Sequence, residues 1–157
     1  MDKKYLNEIE AIFDEKEAKE SALRKKEQDR KEEEERRLQN FFYKRETIYK
    51  PLFEKVKKLV EDKGLKCFVE NEREEDNKSA PQIKITFVRN GKISQEEASV
   101  SFSVTFDKIN NQTIICENTV VSGRVVKDGS AKYDVEGVTE DFVSMKLVKL
   151  LRDAVLG

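Results

Sequence analysis

The sequence predicts an α+β protein in which a long, charged N-terminal helix precedes a two-layer domain with a mostly antiparallel meander sheet of five to six strands. Three observations predict this fold: a charged segment of helical character at residues 14–37, alternating strand patterns between residues 65 and 135, and apolar helical stripes on either side of those strands. The economical packing places the helix at 48–63 and the C-terminal helix on one face of the sheet. We therefore divide the chain into an extended helical arm, residues 1–40, and an α+β domain, residues 41–157.

The charged segment is the most unusual part of the chain. Of its 24 residues only five carry no charge, Ala18, Ser21, Ala22, Leu23 and Gln28, and it contains neither proline nor glycine. Pairs such as Glu15–Lys19 and Glu20–Arg24 place an acid four residues before a base, which favours a helix by about 0.2–0.5 kcal/mol per pair. Such a helix cannot be buried along its length, so we expect it to be solvated or to bind something.

An apolar tip precedes the charged segment, with the spacing of one helical face. Its members are Tyr5, Leu6, Ile9, Ile12 and Phe13. When the heptad is continued, only Leu23 is apolar among the next five seam positions, which is too few for a standard coiled-coil core. Two interpretations stay open: a solvated helix, or a helix whose tip docks on a protein partner or on a second copy. Antiparallel pairing of two arms would place each tip near residues 38–43 of the other copy.

A second apolar stripe predicts the helix that packs on the sheet. Apolar residues recur every three or four positions from Leu38 to Val60, provided that Arg45 fills one gap. Pro51 lies inside this stripe and removes one helical hydrogen bond. Because the stripe keeps its phase through the proline, we expect a nearly continuous helix with a kink near residues 47–50. Gly64 is the expected C-cap.

Period-two patterns predict the sheet. The predicted strands cover residues 65–70, 83–88, 100–106, 113–117, 119–126 and 131–135. The turn signals between them are Asn90-Gly91, Asn110-Asn111 and Asp128-Gly129. A two-residue turn at Asn90-Gly91 would bring opposite faces together, so we expect a longer loop or a bulge around residues 94–98.

The third strand shows most clearly which face of the sheet is buried. The apolar residues Phe102, Val104 and Phe106 alternate there with the hydroxyl row Ser101, Ser103 and Thr105. We expect the apolar face to pack against the helices and the hydroxyl row to face solvent, with a ligand surface as the alternative for that row. The last helix follows, with Thr139 as its N-cap.

The composition excludes several kinds of site. Histidine is absent, which removes Ser–His–Asp and Cys–His catalysis and the commonest metal ligand. Cys67 and Cys116 are too few for a structural zinc site, and we expect both to be buried, free thiols in a reducing cytoplasm. The N-terminus lacks the features of a leader peptide, no apolar run approaches about 18 residues, and the net charge is -1. We therefore expect no cofactor, no metal and no membrane partner.

Two charged regions are weaker candidate sites. The acidic loop with Glu70, Glu72, Glu74, Glu75 and Asp76 lacks the spacing of an EF-hand, so we expect it to be solvated. A possible nucleic-acid-binding patch consists of Arg124, Lys127 and Lys132, with Lys84. Lysines on edge strands also discourage aggregation, which is the more common reason for such residues.

These observations favour a non-enzymatic adaptor or assembly protein that acts through its N-terminal arm, with residues 1–13 and the apolar positions near 38–43 as contacts. The alternative is a nucleic-acid-binding accessory protein that uses the basic hairpin around residues 124–132. An enzyme that relies on carboxylates alone is the third possibility, and no pattern in the sequence supports it. Salt dependence separates the first two, since phosphate binding weakens steeply with salt and apolar docking does not.

Overall fold

Helices flank five consecutive strands along the chain. The computed structural model describes residues 1–71, 80–90 and 97–156. Its helices are α1 (Lys3–Lys44), α2 (Lys50–Asp62) and α3 (Glu140–Leu156), with a π-helical turn at Arg45–Tyr49 and a 3-10 turn at Val135–Gly137. Its strands are β1 (Lys66–Asn71), β2 (Gln82–Asn90), β3 (Glu97–Asp107), β4 (Gln112–Val121) and β5 (Arg124–Tyr133). Most of the predicted acidic loop, including residues 72–76, lies outside the described residues.

The chain divides into two compact units, Met1–Arg36 and Arg37–Gly157. The first unit is the part of α1 that precedes Arg37. Ion pairs of the predicted kind form in it, with Lys19 Nζ 3.2 Å from Glu15 Oε1 and Arg24 Nη2 3.9 Å from Glu20 Oε2. These side chains are exposed, so each pair stabilises the helix by only about 0.2–0.5 kcal/mol, and the helix depends on the sum of many such pairs.

The second unit contains one antiparallel sheet whose strands are hydrogen-bonded in chain order, β1-β2-β3-β4-β5. The register sets Ile83 opposite Val104 and Ile85 opposite Phe102. Because side chains alternate between faces along a strand, these apolar positions share one face of the sheet. The meander predicted from the alternating patterns is therefore confirmed, with five strands rather than six.

Helices α2 and α3 cover this apolar face. Phe53 of α2 meets Phe102 edge-on, with ring centroids 6.1 Å apart. The ring centroids of Phe41, at the end of α1, and Phe106 are 5.6 Å apart. From α3, Val143 and Leu147 are buried in the same cluster. The two-layer α+β architecture is confirmed. The stripe from Leu38 to Val60 buries Phe41, Tyr49, Phe53 and Val60, whereas α3 buries Val143 and Leu147 and leaves Met145, Val148 and Val155 exposed.

The kink expected near Pro51 is a π-helical turn. The N–H of Lys50 donates to the carbonyl of Arg45, five residues earlier, and α2 begins with Pro51 in its first turn. A proline in a first turn costs little, because its missing N–H would have no partner there. The π-turn adds one residue to the helical turn and leaves the apolar stripe facing the core on both sides of Pro51.

The π-turn is tied to the chain segment that precedes α3. The Lys44 ammonium donates to the carbonyls of Val135, Glu136 and Val138, at 2.8, 3.2 and 3.2 Å. The Tyr49 hydroxyl donates to the Val138 carbonyl at 2.8 Å. We call these four hydrogen bonds the Lys44–Tyr49 clamp. Burial lowers the pKa of Lys44 and raises that of Tyr49, because it penalises the charged form of each group.

The last hairpin differs from its prediction. The turn lies at Ser122-Gly123, with φ of 51° and 79°, and Val121 pairs directly with Arg124. Positive φ at both central residues is typical of a two-residue hairpin turn. Asp128-Gly129 instead lies inside β5, so the predicted strands at 119–126 and 131–135 are wrong. The Asp-Gly pair is the stronger turn signal in isolation, but only the Ser-Gly turn aligns the whole length of β4 with β5.

Other predicted boundaries are confirmed. Asn111 adopts φ of 53° in the turn between β3 and β4, and the Thr139 hydroxyl accepts a hydrogen bond from the Phe142 N–H at 3.2 Å as the N-cap of α3. Asn90 pairs with Glu97, so residues 91–96 form a connection longer than two residues, as expected. The structure of that connection lies outside the described residues.

Candidate functional site

The apolar tip is exposed. The solvent-exposed fractions are 56% for Tyr5, 48% for Leu6, 43% for Ile9, 63% for Ile12 and 63% for Phe13. All five predicted contact residues lie on α1, where Leu6, Ile9 and Phe13 follow the spacing of one helical face. A contiguous apolar patch of this kind on a helix is typical of a protein contact site.

Charge is unevenly distributed along the same unit. Between Glu8 and Glu20 there are six carboxylates and two lysines, whereas between Arg24 and Lys31 there are five basic and two acidic residues. The first unit therefore has an acidic segment next to its apolar tip and a basic segment beyond it. Opposite charge on two segments of one helix complements itself when a second copy runs in the opposite direction.

The second predicted contact region, near residues 38–43, is only partly available. Phe41 is fully buried in the core of the second unit, and its ring packs on Phe106. Tyr43 is 66% exposed. Burial of Phe41 follows from its place in the stripe that covers the sheet, so this region offers Tyr43 rather than an apolar cluster.

The basic hairpin does not place its predicted residues on one face. Within β5, Arg124 pairs with Val121 and Lys127 with Thr119, whereas Lys132 pairs with Ile114. The alternation of side chains then assigns Arg124 and Lys127 to one face of the sheet and Lys132 to the other. Lys84 shares the face of Lys132, since its partner Ser103 lies opposite Cys116 on β4.

Lys132 also has a local partner. Its ammonium lies 3.4 Å from Asp107 Oδ2. Asn110 donates a hydrogen bond to the same carboxylate at 2.9 Å, and this hydrogen bond is the main reason that the pKa of Asp107 lies below its usual value. The ionised carboxylate offsets part of the positive potential that Lys132 would present to a phosphate.

The open face of the sheet carries the hydroxyl row. Ser103 and Thr105 are half-buried, and Ser101 is buried at 9% exposure because larger neighbours on β2 and β4 flank it. Cys116 is half-buried on this same open face, so the prediction that both thiols are buried is wrong for Cys116. Cys67 lies on the core face, where burial raises the pKa of its thiol to about 11.

Sequence patterns did not indicate a cavity of about 640 Å³ in the second unit. Its lining comes from the end of α2, the turn at residues 63–65, β2, β3 and the last turns of α3. Each of these segments contributes one to three residues, and their separation in sequence hides their proximity. The sequence features that could have indicated the cavity are apolar helix residues that the core does not bury, such as Leu59 and Val155.

Within the described residues, no helix is both long enough and apolar enough to cross a membrane, and no cluster of three or more acidic or thiol side chains is placed to hold a metal ion. Comparison of the chain with protein-family models, with curated proteins and with solved structures gave no match.

Proposed function

We propose that this chain is a non-enzymatic assembly protein of the cytoplasm that joins two copies through their N-terminal helical arms. The observation that carries the proposal is the exposed apolar tip, Tyr5, Leu6, Ile9, Ile12 and Phe13, on a helix that is otherwise charged. The free thiols of Cys67 and Cys116 support a reducing compartment.

A second copy in antiparallel orientation is the partner that the charges favour. In that orientation the acidic segment from Glu8 to Glu20 faces the basic segment from Arg24 to Lys31 of the other arm, and the reverse. Parallel pairing would set like charge against like charge over both segments, which is unfavourable. The symmetry axis then crosses the arms near residue 20, so that each apolar tip lies opposite residues 27–35 of the other arm rather than 38–43, where it packs against the aliphatic stems of side chains such as Arg30 and Lys31.

The magnitudes predict a weak complex. Burying a fully exposed large apolar side chain contributes about 1.5–3 kcal/mol, so burying the exposed half of five such residues contributes roughly 4–7 kcal/mol per tip. Association costs at least about 4 kcal/mol of translational and rotational freedom. We therefore expect dimers in the micromolar range, with interleaved charges that set orientation more than affinity.

Sedimentation equilibrium tests the proposal. At about 100 μM the full chain is expected to sediment as a monomer–dimer mixture, and an Ile9→Asp, Phe13→Asp double variant as a monomer. An Ala11→Asp, Ala18→Asp double variant adds the same charge at exposed positions outside the stripe and is expected to retain the dimer. A monomeric wild-type chain, or a dimer that survives the Ile9→Asp, Phe13→Asp change, contradicts the proposal.

Cross-linking of single cysteines tests the orientation. In a Cys116→Ser background, where the remaining Cys67 is buried, Glu20→Cys lies near the symmetry axis and is expected to form a disulfide with its own copy. Leu6→Cys, far from that axis, is expected to stay reduced. Equal cross-linking at both positions would indicate parallel arms instead.

A further inference from the structure

The cavity at the end of α2 has the size and lining of a small-molecule site. Its volume of about 640 Å³ lies within the range of known ligand pockets, about 300–1,000 Å³. Its walls are mostly apolar, with contributions from Leu59, Val60, Leu65, Phe87, Val100, Leu151, Ala154 and Val155. Such walls favour an apolar ligand body.

The C-cap of α2 explains why the cavity exists. Gly64 has φ of 91°, its N–H donates to the Glu61 carbonyl, and the N–H of Leu65 donates to the Val60 carbonyl. This is a Schellman motif, which reverses the chain at Gly64 and sets Leu65 beside Val60. Helix α2 therefore ends before it has covered the sheet below, and the last turns of α3 form the opposite wall.

Apolar side chains remain exposed at this place. Leu59 is 60% exposed and Val155 is 53% exposed, and both line the cavity. Neither belongs to the buried core cluster or packs against it. Their apolar area is therefore available to a ligand, at about 25 cal/mol for each Å² that becomes buried.

The charge at the cavity favours an anion. Lys63 and Arg89 line it, and the lining residues that the structure describes include no aspartate or glutamate. Among the described residues neither cation has a carboxylate within ion-pair distance. The C-terminus of α2 contributes about half a negative charge, which the two full positive charges exceed, and its last carbonyls are already hydrogen-bonded by the Schellman motif.

We propose that the cavity binds a free, single-chain fatty carboxylate, with the alkyl chain between α2, α3 and the sheet and the carboxylate at Lys63 and Arg89. The apolar walls select the alkyl chain, and the two cations that line the cavity select an anionic head group over a neutral or cationic one. The site lies in the second unit and requires no contribution from the arm. It is thus independent of assembly through the N-terminal helix.

Isothermal titration of the full chain with four probes tests the proposal. The probes are decanoate, 1-decanol, decylamine and butyrate, each below its aggregation concentration. Decanoate is expected to bind, decanol and decylamine to bind at least about tenfold more weakly, and butyrate not to bind, since it lacks the chain. Absence of decanoate binding up to 1 mM (about -4.1 kcal/mol), or amine binding as tight as that of decanoate, would overturn the proposal.

Variants locate the site. A Lys63→Gln, Arg89→Gln double variant is expected to weaken decanoate binding about tenfold or more and to leave decanol binding unchanged. Lys58→Gln, on α2 and outside the cavity lining, is the control and is expected to bind like the wild type. Unchanged decanoate binding by the double variant contradicts the assignment of the head group.

A cavity-filling change completes the test. Ala154→Trp is expected to abolish binding of both decanoate and decanol while the thermal transition is retained. If Ala154→Trp does not fold, Val155→Glu at the exposed mouth supplies a test with decanoate alone, because a carboxylate there repels the anionic ligand. Retained decanoate binding in a folded variant of either kind places the ligand elsewhere and overturns the proposal.

Discussion

Single residues in this chain perform tasks that their chemical type does not suggest. Arg45 is 7% exposed, its Nε donates to Glu46 Oε1 at 3.2 Å, and its guanidinium carbon lies 4.9 Å from the centroid of the Phe42 ring. The helical phase predicted that Arg45 fills a gap in the apolar stripe, and the structure buries it on that face. The helical phase therefore decides burial even for an arginine. Its hydrogen bond to Glu46 and its contact with the Phe42 ring reduce the cost of desolvation, while Nη1 is buried without a hydrogen-bond partner among the described residues.

Phe102 and Ser103 are adjacent and face opposite sides of the sheet, so they form a matched pair. Phe102→Ala is expected to lower the free energy of unfolding by about 3–5 kcal/mol, because it leaves a cavity beside Phe53. Ser103→Ala, on the open face, is expected to change it by less than about 0.5 kcal/mol. Denaturant melts of the two variants measure the difference, and equal effects would show that the faces are assigned incorrectly.

The two thiols are expected to react at different rates. Cys116 is half-buried on the open face, whereas Cys67 is buried, with a pKa raised from 9.0 to about 11. At pH 8 a disulfide reagent is expected to label Cys116 rapidly and Cys67 only at the rate of opening or unfolding. Counting labelled thiols by mass spectrometry, with and without denaturant, checks this expectation. Rapid labelling of two thiols in the native protein would contradict it.

The same pKa predicts a direction for stability against pH. The unfolded Cys67 thiol has the ordinary pKa of 9.0, below its value in the fold, so raising the pH ionises the unfolded chain first. The stabilising contribution of Cys67 is complete below about pH 9 and is lost as the pH rises toward 11. A Cys67→Val variant is expected to lose less stability than the wild type over that interval, measured by melts at each pH.

At the scale of elements, periodicity predicted the buried face of β3 and of the stripe before β1 but not that of α3, where Met145 and Val148 are exposed. Local turn chemistry did not always predict where strands end. The strict alternation at Phe102, Val104 and Phe106 fixed the orientation of β3, and Thr139 marked the start of α3 correctly. The turn at Ser122-Gly123 was missed, since its position depends on the pairing of all of β4 with β5. Of the candidate sites, the exposed tip followed from sequence and the cavity did not, because its lining combines residues of α2, β2, β3, α3 and the turn after α2.

Two glycines in the last hairpin distinguish the turn that was expected from the turn that forms. Gly123 has φ of 79°, whereas the φ of Gly129 is not in the left-handed region, and a Cβ at either position meets open space. Gly123→Ala is expected to destabilise the fold by about 1–2 kcal/mol, the cost of a left-handed alanine. Gly129→Ala is expected to be neutral or to stabilise by up to about 1 kcal/mol, because it restricts the unfolded chain. Thermal melts that show the opposite order would place the turn at Asp128-Gly129.

At the scale of the whole molecule, the two units differ in what stabilises them. The second unit buries a single cluster of apolar side chains between its helices and its sheet. The first unit is a helix whose side chains are exposed over residues 1–32. Burial of apolar side chains therefore stabilises the second unit, and the first unit contributes little to that stability.

A chain reduced to residues 37–157 is expected to fold. Its core keeps every member, so the free energy of unfolding is expected to change by less than about 1 kcal/mol, which corresponds to a shift in Tm of less than about 4–8 °C. Calorimetry of the full and shortened chains measures the shift. Loss of a cooperative transition would show that the arm contributes to the core. The same shortened chain is expected to sediment as a monomer and to retain binding of decanoate.

The Lys44–Tyr49 clamp has a consequence for the order in which the second unit forms. Each strand pairs with its neighbour in sequence, so the sheet closes through a series of short loops, whereas the bond from Lys44 to the Val135 carbonyl spans 91 residues. Closing a long loop costs more conformational entropy than closing a short one, and contacts distant in sequence slow folding. We expect the hairpins to be structured in the folding transition state and the clamp to close after it. Tyr49→Phe would then accelerate unfolding and leave the rate of folding unchanged.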